Sequence, residues 1–134
     1  MKKRENNLSL FLLGGILMEF VINGKERELK FGIGFIRKLD DVYKVDYNGI
    51  EFGMGLNMAN IQLQQFNPTA LVEVIHAAVR GVTSQKQVDE ALEVYAEEND
   101  GLGSLFDLVI EEMGKSAIVK DSLKRATSLA EQAE

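Results

Sequence analysis

Residues 49–79, GIEFGMGLNMANIQLQQFNPTALVEVIHAAV, form a long apolar-rich run without a lysine or arginine. Ile50, Phe52 and Met54 alternate as in an extended strand, and Leu56, Ala59, Ile61, Leu63 and Phe66 then recur at helical spacing. The run also holds the only proline of the chain. Asn67 is a good helix cap, and Pro68 fits the first helical position, where its missing N–H costs nothing. Leu71, Val72, Ile75, Ala78 and Val79 mark the apolar face of the helix that follows, and Gly81 suits its C′ position. A small domain must place its main hydrophobic mass somewhere, and this stretch is where the sequence places it. Within it Phe52, Met54, Leu56 and Met58 admit two readings. They belong to the core, or they form an adaptable apolar strip for a protein partner, a use to which methionine is suited.

Upstream, Met18 to Phe31 reads as a β-hairpin. Glu19-Phe20-Val21-Ile22 is β-rich, Asn23-Gly24 tolerates positive φ at both positions, and Arg27 to Phe31 alternates polar and apolar. An isolated hairpin is marginal in water, so it must dock on helices or gain a strand. After a break at Gly32-Ile33-Gly34, Phe35, Ile36, Leu39, Val42 and Tyr43 lie on one face of a helix. Asn48-Gly49 ends that segment, and Ile50–Met54 is a short extended piece, a candidate third strand.

Downstream, Ser84 and Gln87 have capping-box spacing. Val88, Ala91, Leu92, Tyr95 and Ala96 form the apolar face of the helix they open, whose outer face carries Asp89, Glu90, Glu93, Glu97 and Glu98. Asn99-Asp100-Gly101 turns the chain. Leu105, Phe106, Leu108, Val109 and Met113 predict a further helix stopping near Gly114. Ser116 opens the last one, with Val119, Leu123, Ala126, Leu129 and Ala130 at helical spacing. The fold class is α+β and mostly helical: an N-terminal hairpin, with a third short strand as an option, packed on about five helices.

The 134 residues fit one domain with its own core, and the absence of cysteine excludes disulfides and thiolate metal sites. Residues 1–45 carry nine Lys/Arg and six Asp/Glu, and the remainder carries six and fifteen, so the net charge of −6 is concentrated in the second part. Such an acidic surface repels phosphates and argues against nucleic-acid binding.

The first residues look like a signal peptide, with Lys2, Lys3 and Arg4 before the apolar stretch Leu8–Leu17. No small-residue cleavage site follows, Glu19 interrupts the run, and it is shorter than a membrane span requires. Two glycine codons at Gly14-Gly15 can read GGAGGA, a ribosome-binding core, at a suitable distance before a start codon for Met18. Residues 1–17 are therefore expected to be a translated leader or disordered extension, and residues 18–134 the single domain.

No catalytic constellation stands out. Glu73 and His76 have the Glu-x-x-His spacing of carboxylate-bridged metal bundles, but those need two such units and two further glutamates. Residues 96–107 resemble a calcium loop only faintly, with Ala96 where an aspartate is needed. Gly53-Met54-Gly55 lacks the third glycine of a dinucleotide site and is better explained by a bend or close packing. Glu97-Glu98 and Glu111-Glu112 are neighbours that point apart on a helix, and a solvated face accounts for them. The expectation is a non-enzyme without metal or cofactor.

The segments INGKERELKFGIGFIRKLDDVY and GIEFGMGLNMANIQLQQFNPTALVEVIHAA resemble the tail assembly chaperones of long-tailed phages and prophages of Gram-positive bacteria. The likeness runs from about Met18 to about Lys124. It implies a non-enzymatic assembly factor that coats the tape measure protein, recruits the tail tube subunit, works in the cytoplasm of the bacterial host and is absent from the finished virion. Many such proteins are also made in a longer, frameshifted form. It implies no membrane and no nucleic-acid partner. Homo-oligomerisation is compatible with the sequence without being fixed by it. The alternative is a small structural tail or head–tail connector protein.

Overall fold

A computed structural model describes residues 17–133, with the backbone alone at 17, 45, 47, 50–53 and 126–133. The leader reading of the first residues thus falls almost wholly outside the described residues. The chain opens with β1 (Leu17–Ile22) and β2 (Lys25–Lys30), an antiparallel pair in which Ile22 faces Lys25. The two residues between them, Asn23 and Gly24, have φ of 54° and 77°. That left-handed pair matches the right-handed twist of the strands, as the Asn-Gly signal requires. Met18, Phe20 and Ile22 alternate into the core, joined by Leu29 and Phe31, while Val21 faces solvent.

Next come α1 (Ile33–Val42), β3 (Lys44–Tyr47) and β4 (Ile50–Gly53). Here the structure differs from the sequence reading. Asn48-Gly49 does not merely end a helix; it turns a second antiparallel hairpin, with φ of 55° and 81° and Tyr47 facing Ile50. The same dipeptide does the same work twice. Lys44–Tyr47 alternates polar and apolar but is only 4 residues long, too short to announce a strand alone. Gly34 lies inside α1 rather than before it, and Val42, expected on its inner face, is exposed.

Five further helices complete the described chain: α2 (Gly55–Gln64), α3 (Pro68–Ala78), α4 (Gln85–Asn99), α5 (Gly103–Lys115) and α6 (Ala117–Ala133). The central helix is α3. Ala70, Leu71, Val72, Val74, Ile75, Ala77 and Ala78 are all buried, and it packs against α1, α2, α4 and β2. Each large apolar side chain so enclosed contributes about 1.5–3 kcal/mol. Asn67 caps α3 by accepting the Thr69 N–H at 3.0 Å, with Pro68 in the first turn. Its other end departs from expectation. Val79, not Gly81, closes the helix, because the chain leaves it extended to lie along β2. Leu29 bridges to Val79, and the Arg80 N–H donates to the Glu28 carbonyl at 2.9 Å. The Arg27 guanidinium secures the crossing by donating to the carbonyls of Arg80 and Val82. This covers part of an edge that would otherwise be open to strand addition.

Ser84 and Gln87 form the expected capping box at the start of α4, and Asp100 ends it in the left-handed conformation. Ser116 caps α6 by accepting the Val119 N–H at 3.3 Å. One expectation at this end is overturned. Glu111 is exposed, but its neighbour Glu112 is only 1% exposed and pairs with Lys115 at 2.9 Å. Adjacent helical residues do point apart, and here one of the two points inward.

Candidate protein-interaction surface

Position in α2 divides the apolar residues singled out in the sequence. Leu56, Ala59 and Leu63 face the core, and Leu56 is 5% exposed. Met54, Met58 and Ile61, at i, i+4 and i+7, share the opposite face. Met54 is 36% exposed and Ile61 51%, with Met58 half-buried between them. Phe52 lies on β4, and its side chain falls outside the described residues. Thus Met54 and Met58 share one outward stripe and Leu56 belongs to the layer beneath.

Both ends of α2 are held. At the N-terminal end the Met54 N–H donates to the Tyr43 carbonyl and the Gly55 N–H to Asp40 Oδ1, each at 3.0 Å. Gly55 sits directly against the backbone of α1. A Cβ there would lie 2.2 Å from the Leu39 carbonyl carbon and 2.4 Å from the Asp40 nitrogen. This close approach is the reason for the second glycine of Gly53-Met54-Gly55, whose packing explanation the structure bears out.

At the C-terminal end the Asn67 N–H donates to the Gln62 carbonyl and the Phe66 N–H to the Leu63 carbonyl, at 3.1 and 3.0 Å. These are the two bonds of a Schellman motif, which places Phe66 where glycine is usual. Phe66 has φ of 59° and is 59% exposed. A bulky side chain in the left-handed region costs about 1–2 kcal/mol. The ring is nevertheless fixed, edge to face with buried Phe106 at 5.5 Å between centroids. The sequence reading placed Ile61 and Phe66 at helical spacing with Leu56, Ala59 and Leu63 and did not separate inward from outward positions. Phe66 was detectable only from the missing glycine before Asn67-Pro68; Ile61 carried no local signal.

The sequence that carries this stripe is itself uncharged. Residues 52–72 contain no Asp, Glu, Lys, Arg or His, in a chain that is 27% charged. Asn and Gln side chains flank the methionines instead. Depletion of charge with enrichment of methionine and aromatic residues is the compositional mark of an interface core.

The titratable groups nearby are engaged structurally. The Tyr43 hydroxyl donates to Glu73 Oε1, tying the end of α1 to α3. Burial, the hydrogen bond to Glu73 and the charge of that carboxylate, in that order, push the Tyr43 pKa well above the usual phenol value. His76 Nε2 lies 2.9 Å from the Thr83 carbonyl oxygen. Glu73 and His76 therefore serve different partners, and no cluster of three potential metal ligands occurs among the described residues. No helix among them is long and apolar enough to cross a membrane.

Neither a curated protein nor a solved structure matches the chain significantly. The family described as "Phage tail assembly chaperone protein, TAC" matches residues 19–127, which takes in the hairpin, α2 with its outward stripe and the first part of α6. Over that span the sequence places this chain in the phage tail assembly chaperone family.

Proposed function

We propose that this chain is a non-enzymatic chaperone that binds the tape measure protein through the outward face of α2 and helps recruit tail tube subunits. It acts in the host cytoplasm and leaves before the virion is complete. The observation that carries this reading is the outward, uncharged stripe Met54, Met58 and Ile61, with exposed Phe66 just beyond α2, Leu56 packed beneath and Phe52 on the adjoining strand. A long helical partner presents an apolar face that aggregates when left uncovered, and a methionine-bearing face accommodates varied apolar side chains. Many copies along one such partner gain strength from multivalency.

Co-expression with the tape measure protein tests the reading. The partner becomes soluble and co-purifies with the wild-type chain, and Met58→Gln/Ile61→Gln removes the effect. A partner that stays insoluble with a well-folded wild-type chain refutes the reading. Mass spectrometry of purified virions separates it from a structural tail or connector protein, because stoichiometric amounts in the particle are incompatible with a chaperone.

A further inference from the structure

A second surface differs from the α2 face in its charge. An open cleft of about 450 Å³ lies between the start of α3 and the outer side of α4. Its floor includes Val72, Leu92, Ala96 and Leu102, and its rim carries Asp89 and Glu93. Both carboxylates are exposed, and neither has an ion pair among the described residues. They stand one helical turn apart, where like charges repel.

The charge pattern of α4 does not serve the helix itself. Its first turn has no acidic residue and its last turn no basic one. Lys86 lies near the start, and Glu97 and Glu98 near the end. Each of these opposes the helix dipole, which favours anions at the start and cations at the end. An apolar floor with an unneutralised acidic rim is complementary to a side-chain pattern of the opposite kind.

We propose that this cleft docks a helical segment of another protein, one bearing Lys or Arg a turn apart around a bulky apolar anchor. The anchor enters the floor and the cations lie over Asp89 and Glu93. The inference rests on the assembly role above for the need to hold a second protein. The two surfaces obey different physics: cleft binding weakens steeply with salt, whereas binding on the uncharged α2 face persists.

The test is an NMR titration of the full chain, isotopically labelled, with a synthetic amphipathic helical peptide carrying paired lysines around one leucine. A control peptide has serine in place of that leucine. The leucine peptide is expected to shift the amides of Val72, Asp89, Leu92, Glu93, Ala96 and Leu102. Asp89→Asn/Glu93→Gln, which replaces exposed groups with neutral ones of the same shape, weakens binding about tenfold or more. Glu26→Gln/Glu111→Gln leaves it unchanged, and the serine peptide does not bind. Equal affinity for the Asp89→Asn/Glu93→Gln variant, shifts lying elsewhere, or equal binding of the serine peptide overturns the proposal. So do cleft shifts that depend on protein concentration without peptide, which assign the cleft to a second copy. Cleft shifts caused by Lys2→Gln/Lys3→Gln/Arg4→Gln without peptide assign it to the chain's own first residues and likewise overturn it. No tail protein enters this experiment, so its failure is distinct from failure of the co-expression test.

Discussion

Gly55, which opens α2, and Phe66, just beyond its C-terminal cap, break the local rules for helices in opposite senses. Glycine inside a helix is inferior to alanine by about 1 kcal/mol. Gly55 is kept because α1 backbone occupies the space of a Cβ, 2.2 Å from the Leu39 carbonyl carbon. Gly55→Ala is therefore expected to destabilise by about 1–3 kcal/mol net despite the better propensity, because neighbouring backbone must move. Urea denaturation measures this, and a stabilised variant would show that α1 and α2 are not in contact at this point. Phe66 breaks the opposite rule, since glycine belongs at a left-handed helix end and a large aromatic stands there. Phe66→Gly relieves about 1–2 kcal/mol of backbone strain and forfeits an aromatic contact worth about 0.5–1.5 kcal/mol plus some buried area. The expected result is stability within about 1 kcal/mol of wild type and loss of co-purification with the tape measure protein. Unimpaired co-purification would remove Phe66 from the proposed interface.

Between elements, the joint most open to measurement is that of α1 with α3, made by Tyr43 and Glu73. The Tyr43 pKa is raised in the folded chain, first by burial and then by Glu73. As the pH rises past about 10, unfolded tyrosine loses its proton while the folded chain keeps it. The contribution of this group is therefore complete below about pH 10 and is lost as pH climbs toward the folded value. Tyr43→Phe lacks that alkaline loss but leaves the half-buried Glu73 without its hydroxyl donor, at about 1–2 kcal/mol near neutrality. The gap in urea midpoint between wild type and variant should thus narrow as pH rises from about 9 to about 11, across the unfolded tyrosine pKa. A constant gap would mean that the phenol is not held in its protonated form.

For the molecule as a whole, the question is which apolar residues sustain the fold and which are available to a partner. Met58→Gln/Ile61→Gln changes an outward face and is expected to alter stability by no more than about 0.5 kcal/mol per site. Leu56→Ala, two residues from Met58 in sequence, opens the core and costs about 2–5 kcal/mol. Thermal unfolding of the two variants places the boundary between core and interface. If the outward pair cost as much as Leu56→Ala, the stripe would be core. Glu112 makes the same point for polar residues, since a charge-rich pair on a helix surface hid one buried member.

What the sequence determined by itself was local. The Asn23-Gly24 turn, the Asn67-Pro68 start of α3, the Ser84-x-x-Gln87 box and the apolar periods of β2, α3 and α4 all depend on bonds and sterics spanning about four residues. The second hairpin was marked by the same Asn-Gly signal, but its first strand, 4 residues directly after α1, is too short for its alternation to be recognised. The resemblance in two segments also pointed to the family that residues 19–127 match. Tertiary structure alone decided the rest. Helical spacing at Leu56–Phe66 is shared by inward and outward residues, and only the packing of α1, α3, α5 and α6 around α2 separates Leu56 from Ile61. The nearness of α1 to Gly55, the inward turn of Glu112 and the cleft between α3 and α4 likewise join residues distant in the chain. Burial is a property of what packs across from a residue, and a one-dimensional pattern does not contain it.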